Sequence, residues 1–460
     1  MKRIAVLNLF LVCAITFGSV VVGAAEQLSP SDGYQLIAQL TSNEKKVSKM
    51  AAERLIAAGD ASLLPGLLDA MFFTPRQFRV DIVKVMQQLS GQSLGSDYKG
   101  WIRYIGKEVD VEPKPGYVEW KALLFARIDP QYAEIFRPGV AMTIRPEEVV
   151  WGGVRLDGIP SLESPPTVSA REARYLDKGE LVFGVVINGV ARAYPRRFMS
   201  WHEMLNDEVG GEPITLSYCT LCGSAIIYSR RVQGETVQRF GTSGLLYRSN
   251  KLMFDHETKT LWSNLTGKPV LGTLVGKVGE LRQIPVTLTT WSDWKTRHPE
   301  TTTLDLVGVK KLFRDRFSFD YVPGAADRAR RGVSFPVWLE DDSLDPDAEV
   351  FTLRLGGQAK AYPLEAVLSA GIVNDLLGGV EVVLLGDAKS GAVRAYQRHG
   401  QTFSGSALAP VDADGASWRI TENALQPDGG DGEALERLPG HVAFWFGWYG
   451  AYPETEVYGR

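Results

Sequence analysis

The feature that most constrains this chain is an internal duplication. Gly189-Val-Ala-Arg-Ala-Tyr194-Pro195 recurs as Gly357-Gln-Ala-Lys-Ala-Tyr362-Pro363, a spacing of 362 − 194 = 168 residues. The same spacing, without gaps, pairs Asn206-Asp207 with Asn374-Asp375, Gly210-Gly211 with Gly378-Gly379, Gly223 with Gly391, Tyr228 with Tyr396 and Arg230 with Arg398. After deletions the copies rejoin, because Leu281-Arg-Gln-Ile-Pro285 resembles Leu435-Glu-Arg-Leu-Pro439. Trp291, Trp294 and Pro299-Glu300-Thr301 likewise meet Trp445, Trp448 and Pro453-Glu454-Thr455. The repeats therefore span 180–303 and 349–457, with 304–348 as a linker, and each must bury a core of its own.

Within a repeat, Asn188-Gly189 between apolar runs predicts a hairpin with a two-residue type I′ turn. A helix carrying Met199, Trp201, His202, Met204 and Leu205 is expected next, then strands at 214–218 and 225–229, further strands near 237–240 and 252–254, and a short closing helix at 291–297. Upstream, residues 30–110 show stripes such as Val47, Met50, Ala51 and Leu55, and Phe78, Ile82, Val85 and Met86, with Gly59 and Gly91 ending two helices. This pattern resembles HEAT-type helix pairs, and it offers a surface on which a protein partner would dock. Residues 111–179, rich in Pro and Gly, are expected to be loop and short strand marking the boundary. The class is α+β: a small helical HEAT-like N-terminal domain followed by a duplicated, mostly antiparallel β domain.

Residues 1–25 have the form of a secretory leader: Lys2 and Arg3, an apolar run from Ile4, then Gly23, Ala24 and Ala25 before Glu26. A periplasmic or otherwise extracytoplasmic protein is expected, associated with a membrane only if the leader is retained. The net charge of −4 becomes −6 without Lys2 and Arg3, which gives nucleic acid no basic field to bind. Removing the leader also removes Cys13, leaving Cys219 and Cys222 in an oxidising compartment, where they must pair, bind metal or cycle.

The duplication separates scaffold from chemistry. Residues kept in both copies answer to shared folding needs, whereas residues confined to the first copy are candidates for function. Trp201, His202 and Glu203 face Ser369, Ala370 and Gly371, Cys219 faces Asp387 and Cys222 faces Ser390. His256 falls near Asp412, and His298 aligns with Tyr452. Trp201-His-Glu203, Tyr218-Cys-Thr-Leu-Cys-Gly-Ser-Ala225, Phe240-Gly-Thr-Ser-Gly-Leu-Leu246, Leu252-Met-Phe-Asp255 and Trp262-Ser-Asn-Leu-Thr-Gly267 together resemble a bacterial family known only as a domain of unknown function. The resemblance covers about residues 150 to 303 and implies no activity. It departs from the family where His256 replaces the usual arginine and Thr220 the usual proline, and the first departure weakens His256 as a ligand.

Three chemistries fit Cys219-Thr-Leu-Cys222-Gly223. The β-forming residues after Gly223 disfavour a thioredoxin-like helix N-terminus. A strand, a Cys-x-x-Cys-Gly turn and a strand are expected instead, as in a metal knuckle. The first choice is thus an extracytoplasmic metal-binding protein for copper or zinc, with Cys219, Cys222 and His202 as ligands and Glu203, Met253, Asp255 or His256 as further candidates. The alternatives are a thiol-disulfide oxidoreductase using the same pair, or a non-enzymatic binding module with a structural disulfide. The ligand is then a metal ion or a small molecule. If His202 is a metal ligand, its imidazole must come to the sulfurs.

Overall fold

Only residues that tolerate positive φ can close a two-residue turn whose twist suits a hairpin. In the computed structural model, which describes residues 29–107, 112–233, 236–305, 337–429 and 432–460, Asn188 and Gly189 have φ of 49° and 79°. They join strands Leu181–Ile187 and Val190–Pro195, and Gly356-Gly357 joins Glu349–Leu355 to Gln358–Pro363 in the same way. The two copies stay in step through Met204–Val209, Glu212–Cys219 and Ser224–Ser229, which answer to Ile372–Leu377, Val380–Asp387 and Ala392–Gln397. The leader lies outside the described residues, as does 306–336 of the linker.

The sheet that carries the hairpin recurs in both repeats. In the first, Thr287–Thr290, Leu181–Ile187, Val190–Pro195 and Thr302–Leu304 lie side by side, and so do their counterparts His441–Phe444, Glu349–Leu355, Gln358–Pro363 and Glu456–Val457. The helix after Pro195 is shorter than the sequence suggested. It runs Arg196–His202 and stops because Glu203 turns into the left-handed region. Met204 and Leu205 then pair with Ser217 and Leu216 as strand. Asn206 and Asp207 lie in that strand too.

The residues shared by both copies do the same work twice. Asn206 donates to the Phe240 carbonyl and accepts from its amide at 2.8 and 3.1 Å, and Asn374 does so to Phe403 at 2.8 and 2.9 Å. The Phe240 ring meets Trp262 edge-on as Phe403 meets Trp418. Trp262 Nε1 donates to Asp255 and Trp418 Nε1 to Asp412. This pairing makes Asp255, not His256, the counterpart of Asp412.

The repeats also pack on each other reciprocally. Strand His441–Phe444 of the second covers Ser224–Ser229 of the first, while Thr287–Thr290 of the first covers Ala392–Gln397 of the second. These are matched strands, so the chain forms a pseudo-two-fold dimer with itself, in which each copy offers the same patch.

The helices Pro30–Leu40, Lys45–Ala58, Leu64–Phe73, Val80–Ser90 and Tyr98–Lys107 precede the sheets, with Gly59 and Gly91 as left-handed caps. Helical order runs past residue 110. Helices Tyr117–Phe125 and Tyr132–Ile135 occupy the passage expected to be loop, because Tyr117, Trp120, Leu124 and Phe125 complete the same core. That core is shared with Leu245, Leu252, Phe254 and Leu261 of a five-stranded sheet in the first repeat. Among the described residues no helix is long and apolar enough to cross a membrane.

The duplicated asparagine latch differs in burial: Asn206 is 1 % exposed, whereas Asn374 is exposed. Removing Asn206 strands two buried backbone groups, so Asn206→Ala should cost about 2–3 kcal/mol and Asn374→Ala less than about 1 kcal/mol in urea unfolding. Equal losses would show that burial does not set the value of this latch.

Candidate functional site

Cys219 ends strand Glu212–Cys219, and the chain turns through Gly223, φ 66°, into Ser224–Ser229. The strand-turn-strand placement is as the sequence suggested. Cys219 and Cys222 are joined as a disulfide, with their Cα atoms 5.4 Å apart. Cys222 N donates toward Cys219 Sγ at 3.4 Å, and Cys222 Sγ lies 3.2 Å from the Ser249 carbonyl. Both residues are buried, at 2 % and 0 % exposure.

The cover comes from the second repeat. Phe444 N donates to the Cys222 carbonyl at 2.8 Å, and Phe446 packs with the cysteines and Val337. A Cβ on Gly223 would meet the Phe444 ring at 2.9 Å, and one on Gly447 would lie 2.7 Å from Cys222 Cβ. Two glycines thus let the repeats close over the turn.

Two neighbouring segments hold backbone conformations that L-residues avoid. Arg248 and Ser249, φ 44° and 69°, form the turn whose carbonyl meets Cys222. Glu203, φ 56°, stands where the second copy has Gly371, φ 72°. The backbone bonds are the same, from Tyr218 N to Glu203 O at 2.8 Å and from Gly386 N to Gly371 O at 2.7 Å. Only the first copy adds a strained side chain, a cost of order 1 kcal/mol. Its carboxylate accepts from Thr220, inside the cysteine turn, at 3.0 Å and lies 3.5 Å from Lys251 Nζ. Lys251 also donates to the Glu203 carbonyl at 2.9 Å.

Burial pushes the Lys251 amine down to about 8, against the opposing pull of Glu203. Sequence reasoning missed Lys251. Its signal was a lone charge before the apolar run Leu252-Met253-Phe254, at the inner end of a strand. The matching hairpin of the second copy, Ser404–Ser406 with Ala409–Val411, has no lysine.

The other expected ligands have contacts of their own. His202 is buried, with Nδ1 2.8 Å from the Pro160 carbonyl. Met253 packs with Met204, Ile226, Phe240 and Trp262. The Asp255 carboxylate is occupied by Trp262 Nε1 at 2.8 Å and Thr258 N at 2.6 Å, a folding role repeated by Asp412. His256 packs at a tilt against Phe254 and lies 3.4 Å from Asp157. Among the described residues no group of three His, Cys, Asp or Glu side chains is placed to hold a metal ion. Two sulfurs bonded to each other carry no thiolate charge, so in this oxidised form they are not ligands for copper or zinc. The Phe240-Gly-Thr-Ser-Gly244 segment is strand.

A family model described as Protein of unknown function (DUF3179) matches residues 156–455, which takes in nearly all of both repeats and leaves out the N-terminal helices. No curated protein and no solved structure matches the chain.

Lys251 gives the site a pH signature. Between pH 8 and 10.5 the folded lysine is neutral while the unfolded one is charged, so the unfolded state binds more protons and stability rises with pH. Below pH 8 the burial cost is fully present. Relative to Lys251→Met, the wild-type unfolding free energy should climb by about 1 kcal/mol per pH unit in that window. A flat difference in urea titrations would mean that Lys251 is charged when folded.

Proposed function

Since the chain belongs to this family of unknown function, whose name assigns no chemistry, we propose from the site itself that the first repeat is a thiol-disulfide redox centre. One observation carries the reading. In the second repeat the same turn is closed by a hydrogen bond, Ser390 Oγ to Asp387 Oδ2 at 2.5 Å. The scaffold needs a cross-link there but not a covalent one, so the cystine is surplus to folding, as is the strained Glu203 beside it.

The surroundings suit both oxidation states. On reduction Cys222 N–H remains a donor to a Cys219 thiolate, and a Cys222 thiol would donate to the Ser249 carbonyl. The reaction is exchange with a partner dithiol. A partner thiolate attacks one sulfur as the Cys219–Cys222 bond breaks, and its second thiol releases the mixed disulfide. The partner leaves as a disulfide, two electrons reach the pair, and two protons follow. Glu203 and Lys251, joined to the turn through Thr220, are the groups positioned to carry those protons. Phe444, Phe446 and Gly447 close the sulfurs off, so exchange requires the second repeat to lift at that edge. The proposal places the protein outside the cytoplasm, where such partners operate.

Equilibration of the full chain in dithiothreitol buffers, followed by thiol counting, should show a reversible two-electron step at a potential above about −300 mV. Phe446→Ala should speed reduction. Cys219→Asp with Cys222→Ser, which copies the second repeat, should keep the fold within about 2 kcal/mol and abolish the step. A cystine that resists reduction until the chain unfolds, together with collapse of the double variant, would make it a structural staple. Stoichiometric copper or zinc held by the reduced protein would replace this reading with a metal site.

A further inference from the structure

The helix that covers the cysteine turn is fitted to it by features found in one copy alone. Helix Trp445–Ala451 corresponds to Trp291–Arg297, with Gly447 and Gly450 standing where the first repeat has Asp293 and Thr296. Those glycines bring its backbone down on the first repeat. A Cβ on Gly447 would lie 2.7 Å from Cys222 Cβ, and one on Gly450 would lie 2.7 Å from the Arg248 carbonyl oxygen. The hairpin beneath is equally particular to its copy. In the second repeat it turns back at Ala407-Leu408, as soon as Ser404–Ser406 has paired with Ala409–Val411. In the first it runs on until Tyr247 pairs with Asn250 across the Arg248-Ser249 turn.

Asn250 is what this extension brings to the helix. It is 5 % exposed, and its side-chain amide donates to the Gly447 carbonyl at 2.6 Å and to the Arg248 carbonyl at 3.2 Å. Its Oδ1 is buried with no hydrogen-bond partner among the described residues. The latch therefore combines a short bond with a stranded acceptor, which regains water when the helix lifts. A contact so balanced holds the helix without locking it. The hairpin tip is anchored on its far side, where Arg248 Nε and Nη2 reach Glu148 at 2.5 and 3.4 Å, so the helix is the part that moves.

The same helix is tied to the cysteine pair. Phe444, which leads into it, donates from its backbone to the Cys222 carbonyl, and Cys222 Sγ meets the Ser249 carbonyl of the hairpin turn. Cys222 is thus clasped between helix and hairpin, with no slack for its atoms to shift. Reduction requires a shift. Two thiols stand at van der Waals separation, well beyond the bonding distance of about 2.05 Å that a cystine keeps.

We propose that helix Trp445–Ala451 is a redox-sensitive lid, closed over the cystine and released by the dithiol, with Asn250 as the positioning residue that sets how firmly it closes. This rests on the redox reading of the cysteine pair and adds its regulation. By linkage, whatever holds the lid shut favours the disulfide, and reduction loosens the lid to the same extent.

The full chain equilibrated in dithiothreitol buffers tests the coupling, the reagent passing two electrons and two protons to the pair and leaving as its cyclic disulfide. Asn250→Ala should shift the reduction equilibrium about tenfold towards the dithiol, which is a potential about 30 mV higher, and reduction should be faster. Gly447→Ala, which pushes the helix off Cys222, should act in the same direction. A loss of stability equal in both oxidation states leaves the potential unmoved, so a folded Asn250→Ala within about 5 mV of wild type would overturn the latch. If the variants fail to fold, hydrogen exchange of the wild type decides. The amides of 444–450 should exchange roughly tenfold faster or more in the reduced chain, and equal protection in both states overturns the lid. A wild-type cystine that no buffer reduces short of unfolding removes the redox reading and the lid with it, whereas a reversible wild-type step with unmoved variants removes the latch alone.

Discussion

The reciprocal packing of the two repeats is the interaction on which the rest depends. Each copy leaves one face of Ser224–Ser229 or Ala392–Gln397 to be covered, and each covers the other with the strand His441–Phe444 or Thr287–Thr290. Apolar faces of this kind cannot be left in water, so the copies satisfy each other within one chain. The same closure buries the cysteine turn under Phe446 and Gly447 and encloses Glu422 among donors from both repeats.

Duplication frees one copy to change. Where both copies keep a residue the contact is the same in each, as with the asparagine latches and the tryptophan-aspartate bonds. Where they differ, one copy carries something that folding does not ask for. Glu203 accepts a strained backbone that Gly371 adopts freely. Cys219 and Cys222 form covalently a link that Asp387 and Ser390 make with a hydrogen bond. Those departures converge on one turn, which is why the site is assigned to the first repeat.

Much of this was legible in the sequence because it depends on local chemistry. Asn188-Gly189 demands a type I′ turn wherever it lies between strands. The 168-residue spacing aligns strand with strand, and the residues missing from one copy point to Cys219, Cys222 and Glu203. The failures were non-local. The passage after residue 111 looked like loop because Pro and Gly are frequent there, yet Tyr117, Trp120 and Phe125 are drawn into helix by a core built from distant segments. Asp255 looked like a ligand because a carboxylate near cysteines is chemically suitable, but nothing in its neighbours announces that Trp262 Nε1 claims it.

By itself, then, the sequence determined the repeat, its hairpins, the strand-turn-strand setting of the cysteines and the family to which the chain belongs, since each is written in spacing and in residues that restrict φ. Tertiary structure alone decided which side chains meet. His202 faces Pro160, Lys251 reaches Glu203 across strands, and Phe444 closes over Cys222 from the other repeat. Such contacts depend on the direction of side chains brought together by packing, and packing answers to the whole buried surface rather than to any one segment.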